Sequence, residues 1–205
     1  MEQPSPASIV VSRRAAAGVL LVLIAAGCHA AFYDGPAPFA LEWRGVDAAP
    51  LPSSPVAEAL RGQTLHVADV VDARPDATKI GSVQAKNLPV HTTSNVAAFC
   101  TQRLSEMLGK SGAKLTDAGA SLTLKPELVT FEVIEAGLFN GEVVLRVSAL
   151  KGDKVVYSGT HFGKSKRWGR SHNPENYNEA LSNALFEATK KLLNDDLFAK
   201  ALGPA

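Results

Sequence analysis

The chain has 205 residues, 46% of them apolar and 20% charged, with a formal net charge of +1. That length suits one ordinary globular domain, and the near-neutral balance excludes the basic footprint of a nucleic-acid-binding protein. The two cysteines, Cys28 and Cys100, are too few for a disulfide framework.

The N-terminus reads as a targeting segment. Arg13 and Arg14 precede an uncharged apolar run from Ala15 to Ala26, and Gly27 and Cys28 follow it. Twelve residues are too few to span a bilayer, which takes about 20, but they suit the apolar region of a signal peptide. Ile24-Ala25-Ala26-Gly27-Cys28 resembles a bacterial lipobox, which makes residues 1–27 a signal peptide and Cys28 the lipidated (palmitate-type) N-terminus of the mature protein. An ordinary secretory site using Ala25, Gly27 and Ala30 is the alternative. Ser12-Arg13-Arg14 hints at a twin-arginine signal, but alanines follow where hydrophobic residues belong. His29 stands where an aspartate would retain a lipoprotein in the inner membrane, so the expected location is the periplasmic face of the outer membrane. Of 21 basic and 20 acidic residues, the signal removes Arg13, Arg14 and Glu2, leaving 19 of each.

Residues 28–61 read as a lipid-anchored tether, rich in proline at Pro36, Pro38, Pro50, Pro52 and Pro55 and able to reach about 100 Å when extended. Within it, Phe39, Leu41 and Trp43 alternate with polar neighbours, which predicts a short strand added to a sheet edge. Residues 62–205 form the periplasmic domain. Thr64 to Asp72 predicts a strand ending in the turn Asp72-Ala73-Arg74-Pro75-Asp76, and Ile80 to Val83 a smaller one before a loop around Asn87-Leu88-Pro89. A helix is predicted from Asn95 to Lys110, capped by Ser94 or Asn95, with Val96, Cys100, Leu104, Met107 and Leu108 on its apolar face. Cys100 on that face reads as a small buried hydrophobe.

A meander follows. Ser121 to Glu135 changes phase near Pro126, which points to a bulge or edge there. Phe139-Asn140-Gly141 predicts the first hairpin turn and Lys151-Gly152-Asp153 the second, between strands Glu142–Leu150 and Lys154–Phe162. The last helix runs from Pro174 to about Asn194, capped by Asn173, with a further helical turn or two at Leu197, Phe198 and Leu202. The expected fold is α+β: a two-layer sandwich, a mostly antiparallel sheet of four to five strands with two amphipathic helices on one face.

This order, with Asp72-Ala73-Arg74 closing the first strand behind a lipobox, resembles the YajG-type bacterial lipoproteins over Thr64 to Asn194. The layout is also similar to the auxiliary lipoproteins of ABC-type lipid transport systems and to TolB N-terminal-like domains. The resemblance implies an envelope adaptor, or a transport auxiliary that binds a small ligand, and no enzymatic activity.

Few residues suggest chemistry. Asp72 and Arg74 are a recognition pair or a structural turn. His66, Asp69 and Asp72 are close in sequence but do not share a strand face, so no metal site is expected. His91, His161 and His172 pair with no nucleophile. No serine-hydrolase, zinc-protease, P-loop or dinucleotide motif is present, so neither catalytic residues nor a cofactor is expected. Lys164, Lys166, Arg167 and Arg170 surround Trp168 in a stretch without acids, Gly163 to Ser171, which predicts a basic loop for an envelope protein partner or an anionic surface. Gly137-Leu138-Phe139 places two large apolar residues at a hairpin, either packed beneath the sheet or open to a contact.

Overall fold

The computed structural model describes residues 35–203. Residues 1–27 and Cys28 lie outside them. The organising element is β6 (Leu122–Glu135), a strand of 14 residues. One edge of β6 is covered along its whole length by β7 (Phe139–Lys151), antiparallel, and β7 pairs in turn with β8 (Lys154–Arg167). The other edge is covered in succession by three short parallel strands: β1 (Thr64–Val67) opposite Leu122 to Leu124, β2 (Val71–Asp72) opposite Glu127 and Leu128, and β3 (Lys79–Val83) opposite Val133 to Glu135. Beyond these lie β4 (Leu88–His91), antiparallel to β3, and β5 (Lys114–Leu115), parallel to β1.

The sheet is therefore eight-stranded and mixed, not the mostly antiparallel sheet of four to five strands expected. The meander alternates cleanly and is legible. The parallel strands are two to five residues long, too short for periodicity to declare them. The predicted Thr64–Asp72 strand breaks at Ala68–Val70, and Pro126 sits opposite that break, where a missing ladder donor costs little. The phase change lies further on, at a bulge between Leu128 and Thr130. Leu88 and Pro89, expected in a loop around Asn87-Leu88-Pro89, belong to a strand, Leu88–His91, that takes Pro89 because it is an edge.

Among the described residues there are four α-helices, where two amphipathic helices and a further C-terminal turn or two were expected. They are α1 (Ser54–Gly62), α2 (Val96–Lys110), α3 (Pro174–Leu192) and α4 (Asp196–Leu202). Asn95 caps α2 by accepting from Ala98 N–H, and Asn173 caps α3 by accepting from Glu175 N–H, with Pro174 in the first turn. Val96, Cys100, Leu104 and Leu108 of α2 and Tyr177, Leu181, Leu185 and Leu192 of α3 enter one core with Leu65, Leu124, Phe131, Val143, Leu145 and Val147 of the sheet. Among the described residues no helix is long and apolar enough to cross a membrane.

Helix α3 sits unusually close to the meander. A Cβ on Gly163 would stand 1.8 Å from the carbonyl oxygen of Ala184, and one on Gly141 2.5 Å from that of Ala180. This explains a misread turn. Asn140-Gly141 lies inside β7, while the hairpin turn is Ala136–Leu138, with Gly137 at φ +74°. Gly141 serves helix packing, not the turn.

From Gly35 onward the Pro-rich stretch packs as part of the domain, so residues 35–61 are not an extended spacer. Phe39 makes one parallel bridge to Thr92, and the following residues form no sheet strand. Instead the segment crosses α2 and α3: Leu41 N–H donates to Ser94 Oγ, Arg44 N–H to Ser182 Oγ, and Asn178 to the Ala40 carbonyl. Its alternation reflects packing against helices. Trp43, for example, lies under the guanidinium of Arg103.

Candidate functional site

Five strands end in one row. Leu88, Val83, Glu135, Phe139 and Arg167 stand opposite one another across β4, β3, β6, β7 and β8. Glu135 continues the buried phase of Phe131 and Val133 and is itself buried. A buried carboxylate needs donors. Tyr177 of α3 and Ser171 each donate a hydroxyl to it, and His172 N–H donates at 3.3 Å. His172 takes a left-handed backbone, φ +59°, to turn that N–H inward. An open cleft of about 600 Å³ adjoins this cluster, lined by Lys86, Glu135, Gly137, Phe139, Gly169 and His172 among others. The cluster's donors are spent on Glu135, so it locks the connection after β8 to the end of β6. The sequence signal was a glutamate on an otherwise apolar phase.

The predicted basic loop is largely strand. The ladder with β7 carries β8 through Arg167, leaving only Trp168–Asn173 as a connection. Alternation then separates the cations. Lys164 and Lys166 lie on the face turned away from the helices, and Lys164 reaches Glu142 at 3.3 Å. Arg167 turns the other way and pairs with Glu179 of α3 at 2.7 Å. Trp168 is 75% exposed, and Arg170 is exposed beyond it. Lysines on an edge strand also oppose unwanted strand pairing. The same open face brings Thr130, Val144 and Phe162 into one row, with Phe162 48% exposed, and Glu127, Arg146 and Thr160 into the next, where Arg146 grips both oxygens of Glu127 at 2.9 Å.

Asp72 and Arg74 form a closed unit. Arg74 Nε and Nη2 donate to the two oxygens of Asp72 at 2.8 and 2.6 Å, and its other N–H groups reach the carbonyls of Lys79 and Ala77. The guanidinium also lies 5.8 Å from the Phe131 ring centroid. The side chains are 6% and 15% exposed for Arg74 and Asp72. Burial pushes the Asp72 carboxyl up, but the Arg74 hydrogen bonds and charge outweigh it and hold it below 3.8. The pair fastens the turn after β2 to the start of β3.

A second buried polar unit joins β8 to α4. Tyr157 donates its hydroxyl proton to Asp195 Oδ2 at 2.7 Å, and His161 Nε2 lies 2.8 Å from the Tyr157 hydroxyl oxygen. With the phenol's one proton given away, His161 must donate from Nε2. Burial lowers the His161 pKa, opposed by Asp195 and aided by Lys191. Asp195 in turn caps α4, accepting from Leu197 and Phe198 N–H.

Among the described residues no three His, Cys, Asp or Glu side chains come together as metal ligands, so His66, Asp69 and Asp72 do not converge. Cys100 is buried, and burial raises its thiol far above the ordinary value, which leaves it unreactive. Phe139 packs edge-on against Tyr177 with centroids 4.8 Å apart, and Leu138 is half-buried. Phe139 therefore packs beneath the sheet end, while Leu138 sits half-exposed in the turn.

No family model and no curated protein matches the chain. Solved structures do. Protein XCC0632 from Xanthomonas campestris, of family DUF330, is similar over 80% of this chain and 97% of its own at 19% identity, with a TM-score of 0.59. That likeness establishes a shared fold. A lipoprotein from Caulobacter crescentus matches at 13% identity, covering 72% of this chain and 96% of its own, with a TM-score of 0.44. Lipoprotein GNA1162 from Neisseria meningitidis matches at 9% identity, covering 50% and 83%, with a TM-score of 0.34. At those scores neither adds to the fold assignment.

Proposed function

We propose that the chain is a lipid-anchored lipoprotein of the bacterial envelope, acting without catalysis as an adaptor for a protein partner on the periplasmic face of the outer membrane. The observation that carries this reading is Cys28, at the end of a lipobox-like stretch and seven residues before the start of the described domain. Membership of the YajG-type group belongs to the same proposal, supported by the strand–helix–meander–helix order and by Asp72-Ala73-Arg74.

The polar clusters support an adaptor over an enzyme, since Glu135, Arg74 and His161 are engaged in joining elements. An auxiliary role that holds lipid within this chain has less support. Helices and sheet meet around fully buried Tyr177, Phe131, Phe139 and Phe198. A cleft of about 880 Å³ between α1 and α4 is open and lined partly by Glu58, Asp196 and Lys200, which suits no acyl chain.

Affinity purification from membranes tests the proposal. The native chain should co-purify with an envelope protein, and the Cys28→Ala variant should lose both membrane association and that protein. Equal membrane association of the variant would contradict it.

A further inference from the structure

The row Leu88–Val83–Glu135–Phe139–Arg167 closes one end of the sheet. The N-terminal segment arrives at this end. Phe39 bridges Thr92 in parallel with the direction of β4 and packs 5.6 Å from Tyr177, whose hydroxyl meets Glu135. The chain upstream of Phe39 therefore runs back towards Leu88. Gly35 is seven residues beyond Cys28, so the two are separated by at most about 25 Å. That length keeps this end of the domain near whatever holds Cys28.

The same end carries exposed cations around an exposed indole. Lys166 and Arg170 flank Trp168, and among the described residues neither forms an ion pair with an acid, whereas Lys164 and Arg167 do. Of the acids near this end, Glu135 is buried and already accepts from three donors, Glu179 pairs with Arg167, and Glu142 pairs with Lys164.

We infer that this end of the domain seats on anionic phospholipid headgroups, with Lys166 and Arg170 at the phosphates and Trp168 in the interfacial layer. The inference rests on the lipid-anchored reading of Cys28. A second copy is the competing occupant, but two such ends would meet with like charges.

The test uses the full lipidated protein in vesicles. Trp43→Phe leaves Trp168 as the sole tryptophan. In vesicles containing phosphatidylglycerol, Trp168 emission should shift to the blue and be quenched by brominated lipid. In phosphatidylcholine alone both effects should fall away. Adding Lys166→Glu and Arg170→Glu should weaken the quenching about tenfold or more, with flotation and melting temperature unchanged. Flotation separates the two ideas: if the lipidated protein and Cys28→Ala float alike, the anchor reading fails. If the protein floats through Cys28 but Trp168 stays unquenched, the docking inference is overturned. Blue-shifted emission that follows protein concentration and ignores lipid charge would assign this end to a second copy and overturn it equally.

Discussion

The hydroxyl of Tyr177 and the carboxylate of Glu135 join the first turns of α3 to the last residue of β6. The two residues are 42 positions apart, and their contact ties the connection after β8 to the centre of the sheet. Tyr177→Phe removes a donor from a buried carboxylate and should cost about 1–3 kcal/mol. For a chain of this size that lowers the melting temperature by about 2–4 °C per kcal/mol. An unchanged urea midpoint would mean that Glu135 draws no stability from the phenol.

Asp72 and Arg74 should behave as a structural pair. Asp72→Ala leaves a guanidinium of 6% exposure without its carboxylate and should cost about 3–5 kcal/mol. Arg74→Lys should also destabilise, because an ammonium cannot hold both Asp72 oxygens and the two carbonyls. Chemical denaturation checks both. Partner capture lost at unchanged stability would make the pair a recognition site instead.

The close approach of α3 to β8 makes Gly163 irreplaceable. Gly163→Ala sets a methyl against the Ala184 carbonyl and should cost about 1–3 kcal/mol, whereas Gly152→Ala, at a turn with open space around it, should perturb only the local backbone. Comparing the two melting temperatures isolates packing from turn effects.

The Tyr157–His161–Asp195 unit sets a pH window. His161 has a folded pKa below 6.5, so the unfolded chain takes up its proton first, and the stabilisation is lost as pH falls from 6.5 through the folded value. Burial works to raise Asp195, but its bonds from Tyr157, Leu197 and Phe198 and the nearby His161 outweigh this. Its folded pKa is below 3.8, and its contribution is lost as pH falls through that lower value. Tyr157 is shifted upward by burial and by Asp195, so its contribution is present below 10 and lost above it. Melting temperature should therefore be level between about pH 7 and pH 9 and fall on both sides. His161→Gln should remove the first acidic step and keep the alkaline one.

What the sequence made legible follows element strength. The caps at Asn95 and Asn173 and the alternation of Val143 to Ala149 announced α2, α3 and β7 because local chemistry and burial agree there. β2 and β5 are two-residue strands whose pairing with β6 and β1 is decided wholly by tertiary contact. Gly141 mimicked a turn because the demand for a missing side chain is the same under a helix as in a hairpin. At the basic stretch the composition was visible, but the extension of β8 that turns Arg167 to Glu179 and leaves Lys166 outward was not.

The anchor is tested most directly by mass spectrometry of the N-terminal peptide of the protein purified from membranes. The expected result is a chain that begins at Cys28 and carries acyl groups on that residue. An unmodified chain beginning elsewhere, with Cys28 a free thiol or removed, would contradict it.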